Sequence, residues 1–402
     1  MKVVVAGGGI GGLALALACA RRGSEVVVLE RRSEFTEAGA GIQLAPNAFH
    51  ALDILGVGDA VRDAAVNIVE LRLMDGTTGQ SVASMSLNGE YLTRFGNPYV
   101  VVHRLDLYRP LLEACRAMGS VELRTGAMVV GYVQEGGEAT AILQSGERIH
   151  GDALIGADGI RSVVRSQLIG DGEPKVSGHT IYRSVIPMGK VPEAIRSNSV
   201  TLWAGPGWHF VHYPIAGGRY LNLAATHDNS AREVVVGVSV KRSIVMASFQ
   251  RICASAREIL DLGQGWKSWV LCDRDPVNDW TDGRVALLGD AAHPMLQYAA
   301  QGACMALEDA VILAELLDEC KDDVALILRK YNRARRERSA KAQVVARAIG
   351  THLYHPAGPE AERRNAMLAS LTQADLHDKV DWLHGMRAFG GGPNSDRTSL
   401  MT

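Results

Sequence analysis

Aromatic residues and cysteines are scarce in this sequence of 402 residues. Aromatics account for 5% of the chain, and the six cysteines form no CxxC pair and no cluster with histidines. Cysteines scattered in this way predict neither a metal site nor a disulfide framework. Charge of one sign is also lacking, because 42 lysines and arginines balance 44 acidic residues to a formal net charge of −2. The composition therefore gives no indication of a nucleic-acid or anionic-membrane partner.

Long apolar runs are missing as well. The stretch from Val3 to Ala20 is uncharged and resembles a secretion signal, but five glycines interrupt it between positions 7 and 12. A strand-like pattern then follows at once, which is not typical of a signal peptide. No other uncharged apolar run is long enough to span a bilayer. We therefore expect a cytoplasmic protein without a membrane span.

Glycine is abundant, with 43 residues, and its densest cluster lies near the start of the chain. An apolar strand over residues 2–6 leads into a G-x-G-x-x-G spacing, a helix, a second strand over residues 25–29 and an acidic residue. The three glycines are Gly7, Gly9 and Gly12, and the acidic residue is Glu30. This order predicts a dinucleotide site, with phosphates at the helix N-terminus and Glu30 on a ribose. The motif alone does not separate FAD from NAD, and a glycine-rich turn without a ligand is the alternative.

Three further segments bear on the same site. Arg104 stands at the start of a predicted helix, and its alternative is a solvated surface charge. Val129 lies in a strand-like run whose backbone could contact an adenine edge, although a plain core strand has the same pattern. Asp158-Gly159 follows an apolar strand, but an Asp-Gly turn by itself is weak evidence of function.

The stretch from Gly283 to Asp309 carries a stronger signal. A mostly apolar strand ends in Gly289-Asp290, which could place a carboxylate against ribose or ribityl hydroxyls. A helix is predicted to begin at Gly302-Ala303, so that its free N–H groups and positive dipole end would face the site. Such an N-terminus would stabilise the negative charge of a reduced flavin. A plain strand–loop–helix crossover is the alternative.

With these motifs in order, the chain resembles the FAD-dependent aromatic hydroxylases, the single-component flavoprotein monooxygenases. The matching motifs are the G-x-G-x-x-G cluster, Asp158-Gly159 and Gly289-Asp290, and they span Val3 to Asp309. The resemblance implies tightly bound, non-covalent FAD. It assigns the contacts to Glu30, Arg104, Val129 and Asp290. It also implies NAD(P)H as a transient reductant, which agrees with the lack of a second glycine fingerprint.

The loop before the helix predicted at Gly302-Ala303 indicates which branch of the family the chain resembles. Many relatives, among them salicylate 1-hydroxylases and 6-hydroxynicotinate 3-monooxygenases, have proline where this chain has Gln297 within His293–Tyr298. This departure favours the branch of the family that acts on 3-hydroxybenzoate. A solvated loop residue is the alternative for Gln297.

Residues from about 175 to 269 read as short strands separated by Gly or Pro, which predicts a mostly antiparallel sheet over one face of the flavin. Alternation along one strand places His209, Val211 and Tyr213 on one side of that sheet. Phe210 and His212 then point to the other side. The first set therefore forms the candidate substrate wall, although His209 alone has a satisfied core or surface histidine as its alternative.

The resulting hypothesis is para-hydroxylation of 3-hydroxybenzoate to 2,5-dihydroxybenzoate (gentisate) with NADH and O2, through the C4a-hydroperoxyflavin that the resemblance implies. His209 is the candidate base, Gln297 the partner of the substrate hydroxyl and Tyr213 the residue that orients the substrate. Tyr213 and backbone N–H groups are candidates for the substrate carboxylate. Decarboxylating salicylate 1-hydroxylase or 6-hydroxynicotinate 3-monooxygenase activity stays open, as does a flavin redox protein that does not hydroxylate.

The predicted fold class is α/β, with a Rossmann-like FAD-binding domain, a mostly antiparallel substrate sheet and C-terminal helices. The FAD-binding domain covers 1–174, with an excursion into the substrate domain near 70–100, and 270–322. The substrate domain covers 175–269, and helices and a tail cover 323–402. Basic residues between 329 and 341, including Arg335 and Arg338, are interpreted as a solvated helix face. The glycine-rich tail is expected to be disordered or to pack on a partner subunit, so a homodimer stays open.

Overall fold

A parallel sheet organises the first part of the fold, because short β-branched runs of the sequence are buried on both faces. The computed structural model describes residues 1–36, 41–319 and 323–387, and six strands lie in the order β19-β20-β12-β1-β2-β8. They are β1 (Lys2–Ala6), β2 (Glu25–Leu29), β8 (Val121–Arg124), β12 (Ala153–Gly156), β19 (Thr281–Asp282) and β20 (Val285–Leu287). Neighbouring strands are parallel except β19, which runs antiparallel to β20.

Helices surround this sheet and complete its core. The helix after the glycine turn, α1 (Ile10–Ala20), is apolar on every side and is buried between the sheet and α9 (Gly302–Glu319). The helix α5 (Arg104–Ala117) also packs on α1, and α10 (Val324–Ala348) packs on α9. Two small antiparallel sheets flank this layer. They consist of β9 (Val129–Glu135), β10 (Glu138–Leu143) and β11 (Arg148–Gly151), and of β3 (Gly41–Leu44), β7 (Val100–His103) and β4 (Val66–Asn67).

An eight-stranded sheet forms the second layer, in the order β17-β18-β13-β16-β15-β14-β5-β6. Its strands are β5 (Glu70–Asp75), β6 (Ser81–Ser86), β13 (Lys175–Pro187), β14 (Ser199–Gly205), β15 (Trp208–Ile215), β16 (Tyr220–Asp228), β17 (Val236–Ser239) and β18 (Lys267–Asp273). All pairs are antiparallel except β14 with β5. One face packs on α7 (Arg242–Ser248) and α8 (Ala254–Asp261) through a core that contains Phe210, Trp266 and Phe249.

The remaining helices fill the edges. They are α2 (Pro46–Ile54), α3 (Gly58–Ala64), α4 (Glu90–Phe95), α6 (Val163–Leu168), a π-helical segment (Ile349–Tyr354), α11 (Gly358–Ala369) and α12 (Gln373–His384). The α/β fold class with a Rossmann-like layer, a mostly antiparallel sheet and C-terminal helices is confirmed. No helix in the described ranges is long and apolar enough to cross a membrane. The tail predicted from Gly390 lies outside the described residues.

Candidate active site

A cavity of about 850 Å³ lies between the two layers. Its first wall comes from the ends of the parallel strands, with Gly9 and Asp290, and from the start of α9. Its second wall is the free face of the eight-stranded sheet, with His209 and Tyr213. Ligands in open α/β sheets bind at the carboxyl ends of the strands, so this is the place where a dinucleotide is expected.

Two glycines of the motif hold positions that no larger residue could occupy. Gly7 has φ +111°, and a Cβ there would lie 2.3 Å from the carbonyl oxygen of Ala157. A Cβ on Gly12 would lie 2.0 Å from the carbonyl oxygen of Gly7. Gly9 is the N-cap of α1 and lines the cavity. The tight turn and the close helix–strand packing that a dinucleotide-binding motif requires are therefore both present.

The acidic residue that follows β2 is already bonded to the glycine turn. Glu30 is buried and accepts hydrogen bonds from the backbone N–H of Gly8 at 3.0 Å and of Arg32 at 2.9 Å. Arg104 begins α5 and lines the cavity. Val129 is buried at the start of β9. These positions are compatible with the predicted cofactor contacts, which stay predictions.

Asp158 has a local structural task. Its Oδ2 accepts hydrogen bonds from the N–H groups of Val163 at 2.8 Å and Val164 at 3.4 Å, so the carboxylate caps the start of α6. Its Oδ1 is buried without a partner in the described part of the chain. The neighbours Ala157 and Gly159 line the cavity. The motif therefore shapes the cavity wall through backbone, and direct contact of Asp158 with the cofactor stays a prediction.

A carboxylate and a helix N-terminus meet at the first wall. Asp290 lies in a 3-10 turn directly after β20, and its side chain faces the cavity. A Cβ on Gly302, the first residue of α9, would lie 3.7 Å from Asp290 Oδ1. Enclosure by protein raises the pKa of Asp290. The first N–H groups of α9 have no partner within the helix, so they can bind negative charge from a ligand beside Ala303.

A buried ion network fixes the Gly289-Asp290 turn from behind. Asp309 Oδ2 accepts from the N–H of Gly289 at 3.0 Å and lies 2.6 Å from His293 Nε2. Arg335 donates to Asp309 Oδ1 at 2.6 Å and to Glu308 Oε2 at 2.7 Å, and all three side chains are fully buried. Burial raises the pKa of Asp309, but His293 and Arg335 outweigh it and hold that pKa well below its usual range.

The interpretation of Arg335 and Arg338 as part of a solvated face is wrong. Arg338 donates to both oxygens of Glu308, at 2.8 and 2.7 Å, and only 14% of its side chain is exposed. The two arginines point inward because α9 presents two adjacent carboxylates, Glu308 and Asp309, that must be neutralised. A hint was present in the sequence, since consecutive acidic residues inside an apolar helix require buried partners.

The second wall has the alternation that the sequence predicts. His209, Val211 and Tyr213 line the cavity, whereas Phe210 lies in the core on the opposite face and His212 stacks on Trp203 with ring centroids 6.4 Å apart. The alternation of side chains along β15 therefore places one set of residues in the cavity wall and the other set in the core.

His209 is held by rings on three sides. Its Nδ1 lies 2.8 Å from Nε2 of His355, and its ring packs on Tyr298 and Tyr354 with centroids 5.1 and 4.9 Å away. Burial, followed by the nearby His355 and His179, lowers the pKa of His209 well below its usual 6.5. The imidazole is therefore neutral at neutral pH and can accept a proton.

Arg183, which the sequence pattern did not single out, joins the two sides of the cavity. Its Nη2 donates to Oε1 of Gln297 at 2.5 Å, and its guanidinium lies 5.9 Å from the centre of the Trp269 ring. Burial lowers the pKa of Arg183. A charged residue within the apolar strand Thr180–Ile186 was the available signal, and it was overlooked.

Tyr213 lies on the same wall and contacts the first layer. Its hydroxyl donates to the carbonyl of Gly41 at 3.2 Å. Burial raises the pKa of Tyr213, which Arg183 partly offsets, so the phenol stays protonated and remains a donor. Beside it, the hydroxyl of Tyr99 donates to Gln43 Oε1 at 2.6 Å, and both residues line the cavity.

The cavity fits FAD on three observations. The glycine turn lines the cavity at Gly9 and Gly11, the start of α9 presents N–H groups, and Asp290 faces the space between them. These features suit a pyrophosphate, an anionic isoalloxazine edge and a polyol chain, respectively.

Comparison with known proteins agrees with this site. A family model described as an FAD binding domain matches residues 1–347. The chain is 49% identical over 384 residues to 3-hydroxybenzoate 6-hydroxylase 1 of Aquipseudomonas alcaligenes, covering 96% of this chain and 97% of the relative. It is 43% identical to 3-hydroxybenzoate 6-hydroxylase of Polaromonas naphthalenivorans, covering 96% of each.

Solved structures share the fold at lower identity. A salicylate hydroxylase–substrate complex superposes with a TM-score of 0.83 at 24% identity, covering 96% of this chain and 95% of the other. HpxO of Klebsiella pneumoniae, complexed with FAD and uric acid, gives a TM-score of 0.82 at 24% identity, covering 94% and 95%. The chain therefore belongs to the FAD-binding domain family and is an FAD-dependent aromatic hydroxylase.

Proposed function

We propose that this enzyme hydroxylates 3-hydroxybenzoate at the carbon para to its hydroxyl and releases 2,5-dihydroxybenzoate. One substrate, one NADH, one proton and one O2 give the product, NAD⁺ and water. The observation that carries the proposal is a partly buried cation, Arg183, on the same cavity wall as the neutral base His209. The two relatives named above, both 3-hydroxybenzoate 6-hydroxylases, support the choice of substrate.

The first wall holds the cofactor. Glu30, Arg104, Asp290 and the start of α9 are the residues that would bind FAD, with the glycine turn beneath its pyrophosphate. When bound and reduced by NADH, FAD supplies the activated oxygen that is transferred to the ring. The positive end of α9 would stabilise negative charge on the cofactor when it is bound.

Arg183 is the proposed partner of the substrate carboxylate. Among the residues that the structure describes, its guanidinium has an amide and an aromatic ring as partners but no carboxylate within 4.0 Å. A cation that protein partly encloses without a neutralising carboxylate is costly, and an anionic substrate in the cavity reduces that cost. Arg183 and Val211 both pair with Ala224 of β16, so they share one row and one face of the sheet. Tyr213 lies on the same wall, and its hydroxyl can donate to the substrate only by giving up its bond to the carbonyl of Gly41.

His209 is the proposed base. A hydroxyl donates electron density to the para carbon best as phenolate, so removal of its proton makes that carbon more nucleophilic. Neutral His209 can accept the proton through the nitrogen that His355 leaves unused. Gln297, held through its oxygen by Arg183, keeps an amide N–H₂ that can donate to the phenolate oxygen.

Product analysis with the purified, FAD-loaded enzyme tests the reaction. We expect one 2,5-dihydroxybenzoate per NADH oxidised with 3-hydroxybenzoate, measured by chromatography together with oxygen uptake. Release of carbon dioxide from any hydroxybenzoate in stoichiometric amount would point to decarboxylating hydroxylation instead. Stoichiometric hydrogen peroxide with every aromatic acid would identify a flavin redox protein that does not hydroxylate.

Substitution of Arg183 tests the recognition of the carboxylate. We expect Arg183→Met to raise KM for 3-hydroxybenzoate roughly 30-fold or more, because losing one partner of a buried ion pair costs about 2 kcal/mol or more. Arg183→Lys keeps the charge but not the planar fork, so an intermediate KM is expected.

Lys267 provides the control, because it lies directly opposite Arg183 on the neighbouring strand β18 and its side chain is exposed. Lys267→Met should leave KM unchanged. The uncharged analogue 3-hydroxybenzamide should bind to Arg183→Met and to the parent enzyme with similar affinity. An Arg183→Met enzyme that still prefers the acid over the amide would refute this assignment.

The homodimer suggested by the sequence stays part of the proposal. Size-exclusion chromatography with light scattering measures the mass of the holoenzyme, and we expect twice the mass of one chain.

A further inference from the structure

His209 has a hydrogen-bonded partner that its proposed role as base does not use. Its Nδ1 lies 2.8 Å from Nε2 of His355, which directly follows the π-helical segment Ile349–Tyr354. Between two imidazoles one nitrogen must donate and the other must accept. His209 lines the cavity with 2% of its surface exposed, whereas His355 is half-buried. The pair therefore leads from the cavity wall toward the outside.

His209 can receive a phenol proton but is a poor place to keep it. An ordinary phenol has a pKa of about 10, and burial lowers the pKa of His209 well below 6.5. The two pKa values lie more than three units apart, so a proton left on His209 would return to the substrate. Deprotonation becomes effective when the amide of Gln297 stabilises the phenolate and the proton moves on to solvent.

The titratable groups around His355 indicate the direction in which a proton would leave. Burial lowers its pKa to about 4, His179 and His227 lower it too, and Asp228 raises it. Asp228 is half-exposed and lies 3.8 Å from Nε2 of His179. The ring of His179 lies 4.9 Å from that of His355.

Aromatic hydroxyls close the other sides of this cluster. Tyr298 bonds to His179 Nδ1 at 2.5 Å, and Tyr354 packs on Tyr298. Burial raises the pKa of both tyrosines above the usual 10, so they stay neutral. Among the described residues, Asp228 is the carboxylate that acts on His179 and His355, and it lies at the outer end of the cluster.

We propose that His355 is a positioning residue that carries the substrate proton from His209 to solvent beside Asp228, an inference that rests on the proposed function of His209. The phenol O–H bond breaks and its proton binds His209 Nε2. The Nδ1 proton of His209 passes to Nε2 of His355, and the Nδ1 proton of His355 passes to water. After oxygen transfer the ring carbon loses its proton to solvent, and the original oxygen regains one from solvent along the reverse path, so the relay is unchanged at the end.

The test compares His355→Gln with the exposed His352→Ala in the FAD-loaded enzyme. Glutamine can keep a hydrogen bond to His209 but cannot pass a proton through its side chain. Stopped-flow mixing of oxidised enzyme with 3-hydroxybenzoate and a pH indicator measures proton release directly, without turnover. We expect His355→Gln to slow proton release and hydroxylation at pH 7 at least 10-fold, with FAD content and substrate affinity unchanged. Hydroxylation should partly recover as pH rises, since hydroxide replaces the relay.

Unchanged proton release in His355→Gln, or the same loss in His352→Ala, would overturn the relay. If the His355→Gln variant does not hold FAD, a proton inventory of the parent enzyme tests the relay instead. It measures the hydroxylation rate as a function of the deuterium fraction of the solvent. A bowed inventory indicates more than one proton in flight and supports the relay, and a linear one contradicts it. Failure of the proposed function is distinguishable, because it shows as missing 2,5-dihydroxybenzoate while proton release on phenol binding is still measured.

Discussion

Single glycines set how closely a cofactor can approach the first layer. Gly12 allows α1 to approach the turn so closely that an added methyl group would lie 2.0 Å from the carbonyl oxygen of Gly7. The helix N-terminus, which Gly9 caps, is aimed at the cavity by this contact. The position of the pyrophosphate site therefore depends on one missing side chain.

Gly12→Ala should release FAD. The backbone must shift to relieve the clash, and forced overpacking costs about 1–3 kcal/mol or more. We expect at least 10-fold less bound FAD, measured from the ratio of flavin to protein absorbance after gel filtration. Gly119→Ala is the matched control, because a Cβ there meets nothing within 4 Å. Equal FAD content in the two variants would contradict this role of Gly12.

At the scale of elements, α9 connects the cofactor wall to the C-terminal helices. Its first residue borders the cavity, and its middle carries Glu308 and Asp309 into the buried network with Arg335 of α10. Asp309 also holds the N–H of Gly289, which precedes Asp290 in the turn. The angle at which Asp290 meets the cavity is therefore set by two helices behind it.

Asp309→Asn should destabilise the protein and loosen the cofactor. Removing one partner of a buried ion pair leaves Arg335 incompletely neutralised and costs about 3–5 kcal/mol. Urea unfolding of the FAD-free protein would measure this loss, and flavin release from the loaded protein would measure the effect on the turn. Asp323→Asn serves as the control, since asparagine replaces aspartate well at the N-cap of α10. A variant of Asp309 as stable as that control would exclude the network as a support.

The sequence predicted these elements better than their contacts. The bounds of β1 and β2 and the start of α9 agree with the pattern of apolar residues and glycines, because those patterns are local. Arg335 was assigned to solvent, because helical periodicity shows which residues share a face and not what that face meets. Arg183 was missed for the same reason, since its hydrogen-bond partner Gln297 lies more than a hundred residues away along the chain.

At the scale of the whole molecule, several histidines are buried in the neutral form. Burial lowers the pKa of His212 to about 4 and that of His384 to about 3. In the unfolded chain both return to about 6.5. As pH falls below 6.5 the unfolded state binds protons that the folded state refuses, so stability declines from pH 6.5 down to about 4.

This acid sensitivity can be assigned to a residue. Each such histidine contributes at most about 1.4 kcal/mol per pH unit, or about 3 kcal/mol for His212 between pH 6.5 and 4. His212→Phe keeps a ring against Trp203 and should flatten the dependence of the unfolding free energy on pH by up to that amount. His352→Phe, at an exposed position, should leave the pH dependence as it is. Parallel curves for the parent and His212→Phe would contradict the prediction.

The sequence by itself determined the local chemistry of this protein. The glycine spacing, the acid after β2, the Gly-Asp pair and the alternation of His209 and Tyr213 all act over a few residues, where backbone geometry leaves few choices. The tertiary structure alone decided which side chains meet across the cavity. Arg183 with Gln297 and His209 with His355 are joined over more than a hundred positions, and only the packing of the eight-stranded sheet against the turn before α9 and the segment after α10 brings such groups within hydrogen-bonding distance.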